Sequence, residues 1–374
     1  MQQKGNIVET ILIAAGGTGG HLFPAQALAE ELSEKGFKIL FAGSGLQGNR
    51  FFNSQSFPYR DIPSISPFTG WRSLLKAPWI WGRGIRNSLK MLEEHSPSLV
   101  IGFGSYHTFP ILAAASWKKI PFVLFEPDSH PGRVNRLFSK RARFTAVQFD
   151  EMDAGLKGNM YCVEPLVRRM MRVDRQKACN YFSLDVKKKT LLVFGGSQGA
   201  LSLNRYLKNL TPRLKQCKNE WQLLHFTGLK ENWQEIEQGY RSHQMTACVK
   251  PFEQRMEYAW SLADLLLSRS GATTIAEQLF FGVPAIFIPF PHATADHQAK
   301  NAELMVKKEA AFTVREEKGC ESALLSLLED LMNNSLALEQ MKQALLLLKE
   351  ERGRMRMSEL ILREVGVQAG RDDD

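Results

Sequence analysis

Residues 11–32, ILIAAGGTGGHLFPAQALAEEL, begin as an apolar strand, pass through four glycines in five residues and continue as an amphipathic helix. Glycine lets a backbone approach a ligand closely, and the free amide groups at a helix N-terminus attract anions. His21 stands at the junction between turn and helix. The segment therefore predicts a βα unit with a phosphate-binding turn, although glycines also serve simply to make tight turns.

The same alternation continues along the chain. Short β-branched or leucine-rich runs predict strands at residues 7–14, 37–43, 98–104, 121–126, 189–196, 221–228, 263–269 and 284–290. Helical patterns separate most of them, as at 25–35, 201–214 and 273–281. Strands that alternate with helices predict parallel sheets covered by helices on both faces.

The pattern restarts near the middle of the chain. An irregular, basic stretch at residues 164–189 precedes a second strand and a second glycine turn. We therefore predict two doubly wound α/β domains that face each other across a cleft, with ligands at the carboxyl ends of the strands. The first domain spans residues 1–165, completed by a C-terminal helix at about 346–370, and the second spans residues 166–345.

Composition excludes several classes of protein. The 374 residues carry a net charge of +9, which favours acidic partners, but no nucleic-acid-binding motif is present, so nucleic acid is not expected as a partner. No apolar run is long enough to span a membrane, and the start, MQQKGNIVET, lacks the apolar core of a signal peptide. Five scattered cysteines predict a reducing compartment and no structural zinc.

Three glycine turns follow predicted strands: GGTGG at 16–20, GFGSYH at 102–107 and GGSQGA at 195–200. None of them has the lysine of a P-loop, and Leu22 occupies the place of the third glycine of a dinucleotide-binding turn. A dehydrogenase or an ATPase is therefore disfavoured. A diphosphate is the anion that these turns favour.

A fourth segment, SRSGATTIAEQLFFGVPAIFIP at 268–289, predicts a strand, a turn, a helix and a further strand. Glu277 falls near the beginning of that helix. A carboxylate in this place can accept both hydroxyl groups of a ribose, as acidic residues do in other α/β nucleotide sites. A glutamate that only complements the helix dipole is the alternative.

Five motifs, GGTGGHLFPA, GFGSYHTFP, GGSQGALSLN, SRSGATTIAE and ADHQAKNA, occur in this order between about residue 10 and residue 302. Together they closely resemble the MurG family of bacterial peptidoglycan glycosyltransferases, in glycosyltransferase family 28. The resemblance implies the GT-B fold and no required metal or other cofactor. It also implies inverting transfer of N-acetylglucosamine from UDP-GlcNAc to C4 of the muramoyl sugar of lipid I, which gives lipid II.

The resemblance assigns roles to residues on the donor side. Ser197 and Gln198 would contact the diphosphate and the ribose or sugar, and Arg168 would lie beside the diphosphate. Glu277 would bind the ribose, Gln298 the N-acetylglucosamine ring, and backbone groups near Phe252 and Glu253 the uracil. Ala272, Thr273 and Thr274 would hold phosphate.

On the acceptor side, the resemblance places the first glycine turn at the reacting centre. The residues implied there are Thr18, Gly19, Gly20, His21, Tyr106 and Lys140. His21 is suited to act as the general base because histidine titrates near neutral pH. A histidine that only binds substrate or backbone is the alternative. His107 and His130 are interpreted as structural.

This sequence departs from the family pattern around residues 125–128, which read FEPD where the family has HEQN. Phe125 replaces a histidine and Asp128 replaces an asparagine. Asp128 is a second candidate for the base, although it would need a raised pKa, and its charge opposes an anionic acceptor unless Arg133 or Lys140 offsets it. EPLVR at 164–168 replaces the family's GNPVR, and His297 stands where a glutamine is common.

Residues 71–90, WRSLLKAPWIWGRGIRNSLK, combine tryptophans, aliphatic residues and basic residues. This composition is typical of a segment that contacts a membrane surface. Pro78 and Gly82 predict that the segment is not one helix. We expect a peripheral protein at the cytoplasmic face of the bacterial inner membrane, with other cell-wall or division proteins as further partners.

Two other functions are open. One is another GT-B lipid glycosyltransferase, such as a diacylglycerol glycosyltransferase, for which the donor motifs would look the same. The other is a catalytically silent UDP-sugar-binding protein, which the changes at Phe125 and Asp128 suggest.

Overall fold

The computed structural model describes residues 9–68, 70–152, 155–168, 170–196, 199–350 and 355–366. These residues divide into two compact units. The first runs to Arg168 and is resumed at residue 355, and the second lies between residues 170 and 350. Residues 355–366 thus return to the unit that contains residues 9–168.

The strands of both units are short and parallel, and most of them are apolar. In chain order they are β1 (Thr10–Ala14), β2 (Lys38–Gly43), β3 (Tyr59–Asp61), β4 (Leu99–Gly102), β5 (Phe122–Glu126), β6 (Thr145–Val147), β7 (Met160–Cys162), β8 (Lys189–Phe194), β9 (Trp221–Phe226), β10 (Ala247–Lys250), β11 (Ala263–Ser268), β12 (Ala285–Phe287) and β13 (Ala311–Thr313).

Helices connect the strands and cover both faces of each sheet. They are α1 (Gly19–Glu34), α2 (Trp71–His95), α3 (Phe109–Lys118), α4 (Arg133–Phe138), α5 (Arg175–Phe182), α6 (Leu201–Leu214), α7 (Trp233–Ser242), α8 (Met256–Leu262), α9 (Ala272–Phe281), α10 (His297–Lys307), α11 (Cys320–Asn333), α12 (Ser335–Glu350) and α13 (Met357–Val365).

The first unit is built on a seven-stranded sheet in the order β3-β2-β1-β4-β5-β6-β7. On one face, Leu22 and Leu28 of α1 pack in one cluster with Leu360 and Ile361 of α13. On the other face, side chains of α2 and α3 pack against the opposite residues of β1 and β4. Both faces of the central strands are therefore buried, which explains why these strands are continuously apolar.

The second unit repeats this plan with six strands in the order β10-β9-β8-β11-β12-β13. One buried cluster joins α6, α7 and α11 to one face of the sheet, with Trp221 and Tyr240 among its fully buried side chains. Each sheet therefore matches the doubly wound architecture predicted from the alternation of strands and helices.

The strand order reverses between β1 and β4 in the first sheet and between β8 and β11 in the second. The loops on either side of such a reversal leave in opposite directions and open a crevice at the carboxyl ends of the strands. The four motifs at 16–20, 102–107, 195–200 and 268–274 follow these four strands. The topology thus collects the motif turns at one crevice in each unit.

All eight predicted strands are present, with slightly shorter bounds. The helix predicted at 201–214 is α6. The first helix, however, begins at Gly19, earlier than the predicted 25–35, so that His21 belongs to its first turn. Leu22 and Ala25 are fully buried, and their packing holds this turn helical despite Pro24.

The prediction that Pro78 and Gly82 interrupt the helix is wrong, because α2 continues through both. Both residues lie on the exposed side of α2. Pro78 has no amide hydrogen, so one carbonyl oxygen of the preceding turn loses its donor, but on this side water can donate to it instead. On its inner side Gly84 approaches so closely that an added Cβ would lie 2.2 Å from the carbonyl oxygen of Pro63. Among the described residues, no helix is long and apolar enough to cross a membrane.

Candidate active site

The first glycine turn requires glycine for steric reasons. A Cβ added to Gly16 would lie 2.7 Å from the carbonyl oxygen of Ser44, and Gly17 has a φ of +86°. Thr18 then caps α1, and its carbonyl oxygen accepts the amides of His21 and Leu22 at 3.2 Å. The turn is therefore rigidly coupled to the start of α1.

His21 is oriented by the neighbouring motif. Its Nδ1 lies 2.9 Å from the carbonyl oxygen of Phe103, which directly follows β4. A carbonyl oxygen can only accept, so Nδ1 carries the proton of the neutral ring and Nε2 carries the lone pair. This is the tautomer in which Nε2 can take a proton from a substrate hydroxyl.

A second histidine lies against the same turn. A Cβ added to Gly17 would lie 2.9 Å from Nε2 of His107. Burial, and next the nearby charge of His21, lower the pKa of His107, although a hydrogen bond with the Ser44 backbone opposes the shift. His107 is therefore neutral at physiological pH and does not add a positive charge beside the candidate base.

The segment after β5 is organised by Glu126, which the sequence interpretation did not single out. Its buried carboxyl accepts the Gly132 amide at 2.8 Å, Nδ2 of Asn135 at 2.9 Å and the Asp128 amide at 3.3 Å. Burial and then the charge of Asp128 raise the pKa of Glu126 to about 8. An acidic residue at the end of a buried strand was the signal for it.

Of the three departures at 125–128, those at residues 125 and 128 have different structural consequences. Phe125 is fully buried and its ring packs 5.4 Å from that of Phe103, so this substitution belongs to the core. Asp128 is half-buried and lies beside Glu126. Only the change at Asp128 therefore alters the electrostatics of the candidate site.

The other residues of the first glycine turn lie close together, and Arg168, which the resemblance assigns to the donor side, lies with them. Gly19 packs against Phe23, whose ring also lies 4.1 Å below the guanidinium of Arg168, and Gly20 is exposed. Arg168 thus lies beside α1, in the first unit. The structure brings Thr18, Gly19, Gly20, His21 and Arg168 together around the start of this helix.

Tyr106 and Lys140 have other surroundings. The ring of Tyr106 stacks on Trp81, a residue of α2, at a centroid distance of 6.2 Å. Lys140 is exposed in the short turn Ser139–Arg141 that follows α4. α4 leads from the carboxyl end of β5 towards the start of β6. Lys140 therefore lies towards the amino ends of the strands, whereas His21 lies at their carboxyl ends.

In the second unit, Glu277 lies on α9 and is only 5% exposed. One carboxylate oxygen accepts the indole N–H of Trp260 at 2.8 Å. An ionised carboxylate can accept about four hydrogen bonds, and the bond from Trp260 orients that of Glu277. The sequence motif places Ala272, Thr273 and Thr274 in the first turn of the same helix.

Gln298 is held at the start of α10 from two sides. Its side-chain oxygen accepts the amide of Phe290 at 3.0 Å, and its backbone oxygen accepts the hydroxyl of Ser270 at 2.7 Å. The Gln298 side-chain amide therefore has its two N–H donors directed away from the bonded oxygen, as recognition of sugar hydroxyls would need.

Glu253 holds the segment that is expected near the uracil in place through three hydrogen bonds. This carboxylate accepts Nζ of Lys250 at 2.9 Å, the hydroxyl of Tyr181 at 3.1 Å and the amide of Arg255 at 2.9 Å. Burial opposes ionisation, but these donors outweigh it and the pKa of Glu253 is lowered. Phe252, the residue before Glu253, is 39% exposed.

The turn after β8 is described only in part, since Ser197 and Gln198 lie outside the described residues. Its flanking glycines have positive φ, +81° at Gly196 and +77° at Gly199. A Cβ on Gly199 would lie 2.8 Å from Cα of Gly228, so the turn is packed closely against the loop after β9. Within the described residues, no group of three or more His, Cys, Asp or Glu side chains could hold a metal ion.

Comparison with known proteins agrees with this architecture. Residues 11–147 match the glycosyltransferase family 28 N-terminal domain, and residues 190–357 match the C-terminal domain of that family. A solved structure of MurG from Acinetobacter baumannii superimposes with a TM-score of 0.72 at 26% identity, over 96% of this chain and 99% of that one.

Two named enzymes are similar over nearly their whole length. Both are called UDP-N-acetylglucosamine–N-acetylmuramyl-(pentapeptide) pyrophosphoryl-undecaprenol N-acetylglucosamine transferase. The protein from Protochlamydia amoebophila is 39% identical, with 94% of each chain covered. The protein from Halothermothrix orenii is 34% identical, with 89% of this chain and 93% of that one covered. With its two doubly wound units of the GT-B type, this chain belongs to the MurG family within glycosyltransferase family 28.

Proposed function

We propose that this chain transfers N-acetylglucosamine from UDP-GlcNAc to the C4 hydroxyl of the muramoyl sugar of undecaprenyl-linked lipid I, forming lipid II with inversion. Membership of the family supports the reaction, since similar enzymes carry it in their names. The observation that carries the chemistry is the bond from His21 Nδ1 to the Phe103 carbonyl, which leaves Nε2 as a proton acceptor.

The second unit binds the donor in this proposal. Glu277 accepts the ribose hydroxyls while the Trp260 indole holds its carboxylate. The first turn of α9, with Ala272, Thr273 and Thr274, donates to phosphate, and Gln298 donates to the hydroxyls of the N-acetylglucosamine ring. Ser197 and Gln198 complete the diphosphate site by their resemblance to the family, and the uracil lies against the Phe252–Glu253 segment.

The reaction is a single displacement. The C4 oxygen of the acceptor forms a bond to the anomeric carbon as the bond from that carbon to UDP breaks, and His21 Nε2 takes the hydroxyl proton. Negative charge grows on the departing diphosphate. Helix N-termini of the second unit stabilise this charge, and one preorganised donor of this kind contributes about 2.7–4 kcal/mol. Arg168 is assigned to the diphosphate by its resemblance to the family alone, and the proposal includes no metal or other cofactor.

Asp128 is the alternative base. It lies beside Glu126, and two neighbouring carboxyl groups disfavour ionisation of one of them. The raised pKa falls on Glu126, which is the more buried of the two. The hydrogen bond that fixes the His21 ring favours His21 as the base, and the charge of Asp128 would influence the acceptor electrostatically.

We also propose that α2 contacts the membrane that holds the acceptor. Phe68, Trp71, Leu74, Leu75 and Trp79 expose large apolar side chains in and just before the first turns of this helix, with Trp79 72% exposed. Five basic residues of α2, Arg72, Lys76, Arg83, Arg86 and Lys90, are exposed beside them. Exposed aromatic and cationic side chains together favour an anionic membrane surface.

The localisation that follows is peripheral, at the cytoplasmic face of the bacterial inner membrane, where UDP-GlcNAc and lipid I meet. Trp117 and Leu137 form a further exposed apolar area with Arg141 and Arg143 beside it. Lys140 neighbours this area and would contribute to membrane attraction there. Cell-wall synthesis or division proteins remain proposed as further partners.

The test is release of UDP from UDP-GlcNAc in the presence of a short-chain lipid I analogue or of diacylglycerol, together with calorimetric titration of donor binding. The proposal predicts UDP release that depends on the lipid I analogue and is not inhibited by diacylglycerol. Release with diacylglycerol alone would identify a different lipid glycosyltransferase. Donor binding without release from either acceptor would indicate a silent UDP-sugar-binding protein.

A further inference from the structure

Arg269 is a buried cation at the carboxyl end of β11, in the second unit. It is 6% exposed. Nη1 donates to the carbonyl oxygens of Ile288 at 2.9 Å and Pro289 at 3.0 Å, and Nη2 donates to the hydroxyl of Ser202 at 2.8 Å. The Glu316 carboxylate lies 3.1 Å from Nη2. One guanidinium thus joins three segments that are far apart in the sequence.

A gain in stability does not explain why this arginine is buried. Burial lowers the pKa of Arg269, and Glu316 works against that shift. A buried ion pair contributes little net stability compared with apolar packing, because both charges must leave water. The guanidinium instead fixes the relative positions of the groups that it binds, because its five donors lie in one plane at fixed angles.

The segments that Arg269 joins are those expected to hold the donor. Ser202 is the second residue of α6, whose first turn follows the GGSQGA motif. Ile288 and Pro289 lead to Phe290, whose amide is bound by the Gln298 side chain at 3.0 Å. The next residue after Arg269, Ser270, bonds the Gln298 backbone oxygen. The starts of α6 and α10 are therefore connected through Arg269 and its neighbour.

We propose that Arg269 is a positioning residue that sets the diphosphate-binding start of α6 against the sugar-binding start of α10 without contacting the donor itself. This inference rests on the proposed function, because it assigns both helix starts to the UDP-GlcNAc site. Lysine at this position would keep the charge but could not reach Ser202, Glu316 and two carbonyl oxygens at once.

The second unit also contains a matched control, Arg175, at the opposite ends of its strands from the motif turns. Arg175 donates to Asp264 at 3.0 Å, to the Lys188 carbonyl at 2.7 Å and to the Leu262 carbonyl at 3.2 Å. These groups lie at the beginnings of β8 and β11, away from the motif turns. Arg175→Lys therefore damages a comparable bridging arginine without touching the donor segments.

The experiment compares Arg269→Lys, Ser202→Ala and Arg175→Lys by titration with UDP-GlcNAc, by KM for each substrate and by thermal unfolding. We expect the donor Kd and KM to rise about tenfold or more in Arg269→Lys and several-fold in Ser202→Ala, from the loss of charge-assisted hydrogen bonds. The KM for the lipid I analogue should stay unchanged in both, and Arg175→Lys should lower the unfolding temperature without altering donor affinity.

The outcomes separate the inference from the proposed function. If the unmodified chain does not bind UDP-GlcNAc, the proposed function fails. If that chain binds the donor and both Arg269→Lys and Ser202→Ala bind it equally well, the positioning role is overturned. An equal loss of donor affinity in Arg175→Lys would also overturn it, because a general loss of stability would then explain the effect. Ser202→Ala keeps the test valid if Arg269→Lys fails to fold.

Discussion

Nδ1 of His21 and the carbonyl oxygen of Phe103 lie 2.9 Å apart, and this bond joins the turns that follow β1 and β4. These two strands are neighbours at the point where the strand order of the first sheet reverses. The fold itself therefore sets the tautomer of the candidate base. A backbone acceptor cannot change its own protonation, so the orientation of the ring is independent of pH while Nδ1 keeps its proton.

Replacement of His21 by glutamine should lower kcat by about 10²–10⁴, the range that general base catalysis contributes. The KM for UDP-GlcNAc should change little, because the base acts on the acceptor hydroxyl. Steady-state kinetics with the lipid I analogue measure both constants. His243→Gln, at the end of α7 in the second unit, is the control and should leave both unchanged. A His21→Gln enzyme with near-normal kcat would shift the role of base to Asp128.

The carboxylate of Glu277 should be required for donor affinity. Glu277→Gln keeps an oxygen for the Trp260 indole but loses acceptor capacity for the ribose hydroxyls, so the Kd for UDP should rise about tenfold or more. Trp260→Phe is the matched variant, since it removes the indole donor and keeps the carboxylate. We expect a smaller loss from it. Calorimetric titration with UDP decides, and unchanged affinity in Glu277→Gln would remove this residue from the site.

The stability of the protein should depend on the ionisation of Glu126. Its pKa is raised to about 8 in the folded chain, mainly by burial, whereas the unfolded chain ionises at an ordinary carboxyl pKa. The folded state therefore binds this proton more tightly, and its stabilising contribution is lost as pH rises from the unfolded pKa to about 8. In Glu126→Gln, the unfolding temperature should fall less over this range than in the unmodified chain. Parallel pH profiles for the two would show that Glu126 ionises normally.

Asp128→Asn should act on two quantities at once. Removing the charge lowers the pKa of Glu126, because the Asp128 carboxylate is one of the causes that raise it. It also removes repulsion of the acceptor diphosphate, so the KM for the lipid I analogue should fall while the donor KM stays the same. Arg133→Gln gives the opposite change in local charge and should raise the acceptor KM. An unchanged or higher acceptor KM in Asp128→Asn would show that Asp128 does not hinder acceptor binding.

Membrane binding should depend on the exposed side chains of α2. Replacing Leu75 and Trp79 together by serine removes two large apolar groups and should reduce partition into phosphatidylglycerol vesicles by about tenfold or more. Leu229→Ser, at an exposed site in the second unit, is the control. Binding should also weaken as salt is added, because charges near the surface are screened. Sedimentation with vesicles measures both effects, and equal partition of all variants would exclude α2 as the contact.

Local sequence was sufficient for most of the fold. Runs such as KTLLVFGG predicted β8 and its turn because a strand buried on both faces is continuously apolar. The three-residue strands β3, β6, β7, β12 and β13 differ, since so short a run carries no period, and only β12 was predicted because a longer apolar run surrounds it. The continuity of α2 through Pro78 depends on which side of the helix meets solvent, a tertiary property.

The candidate site could be predicted where a motif is contiguous. The stretches around His21 and Glu277 could be read directly, but Arg269 and Glu126 could not be given roles in this way. The positioning role of Arg269 depends on its contacts with Ser202 and Glu316, which lie 67 residues before it and 47 residues after it in the sequence. The raised pKa of Glu126 depends on its burial. Contacts between distant segments, and the desolvation that accompanies them, are not encoded in local spacing.

The structure of the product formed from UDP-GlcNAc and the lipid I analogue decides whether this chain makes lipid II. Proton NMR of the purified disaccharide lipid reports both the position and the anomeric configuration of the new bond. We predict a β-linked N-acetylglucosamine on C4 of the muramoyl sugar, formed by the unmodified chain and formed far more slowly by His21→Gln. An α linkage, a different position, or no product from a chain that binds both substrates would contradict it.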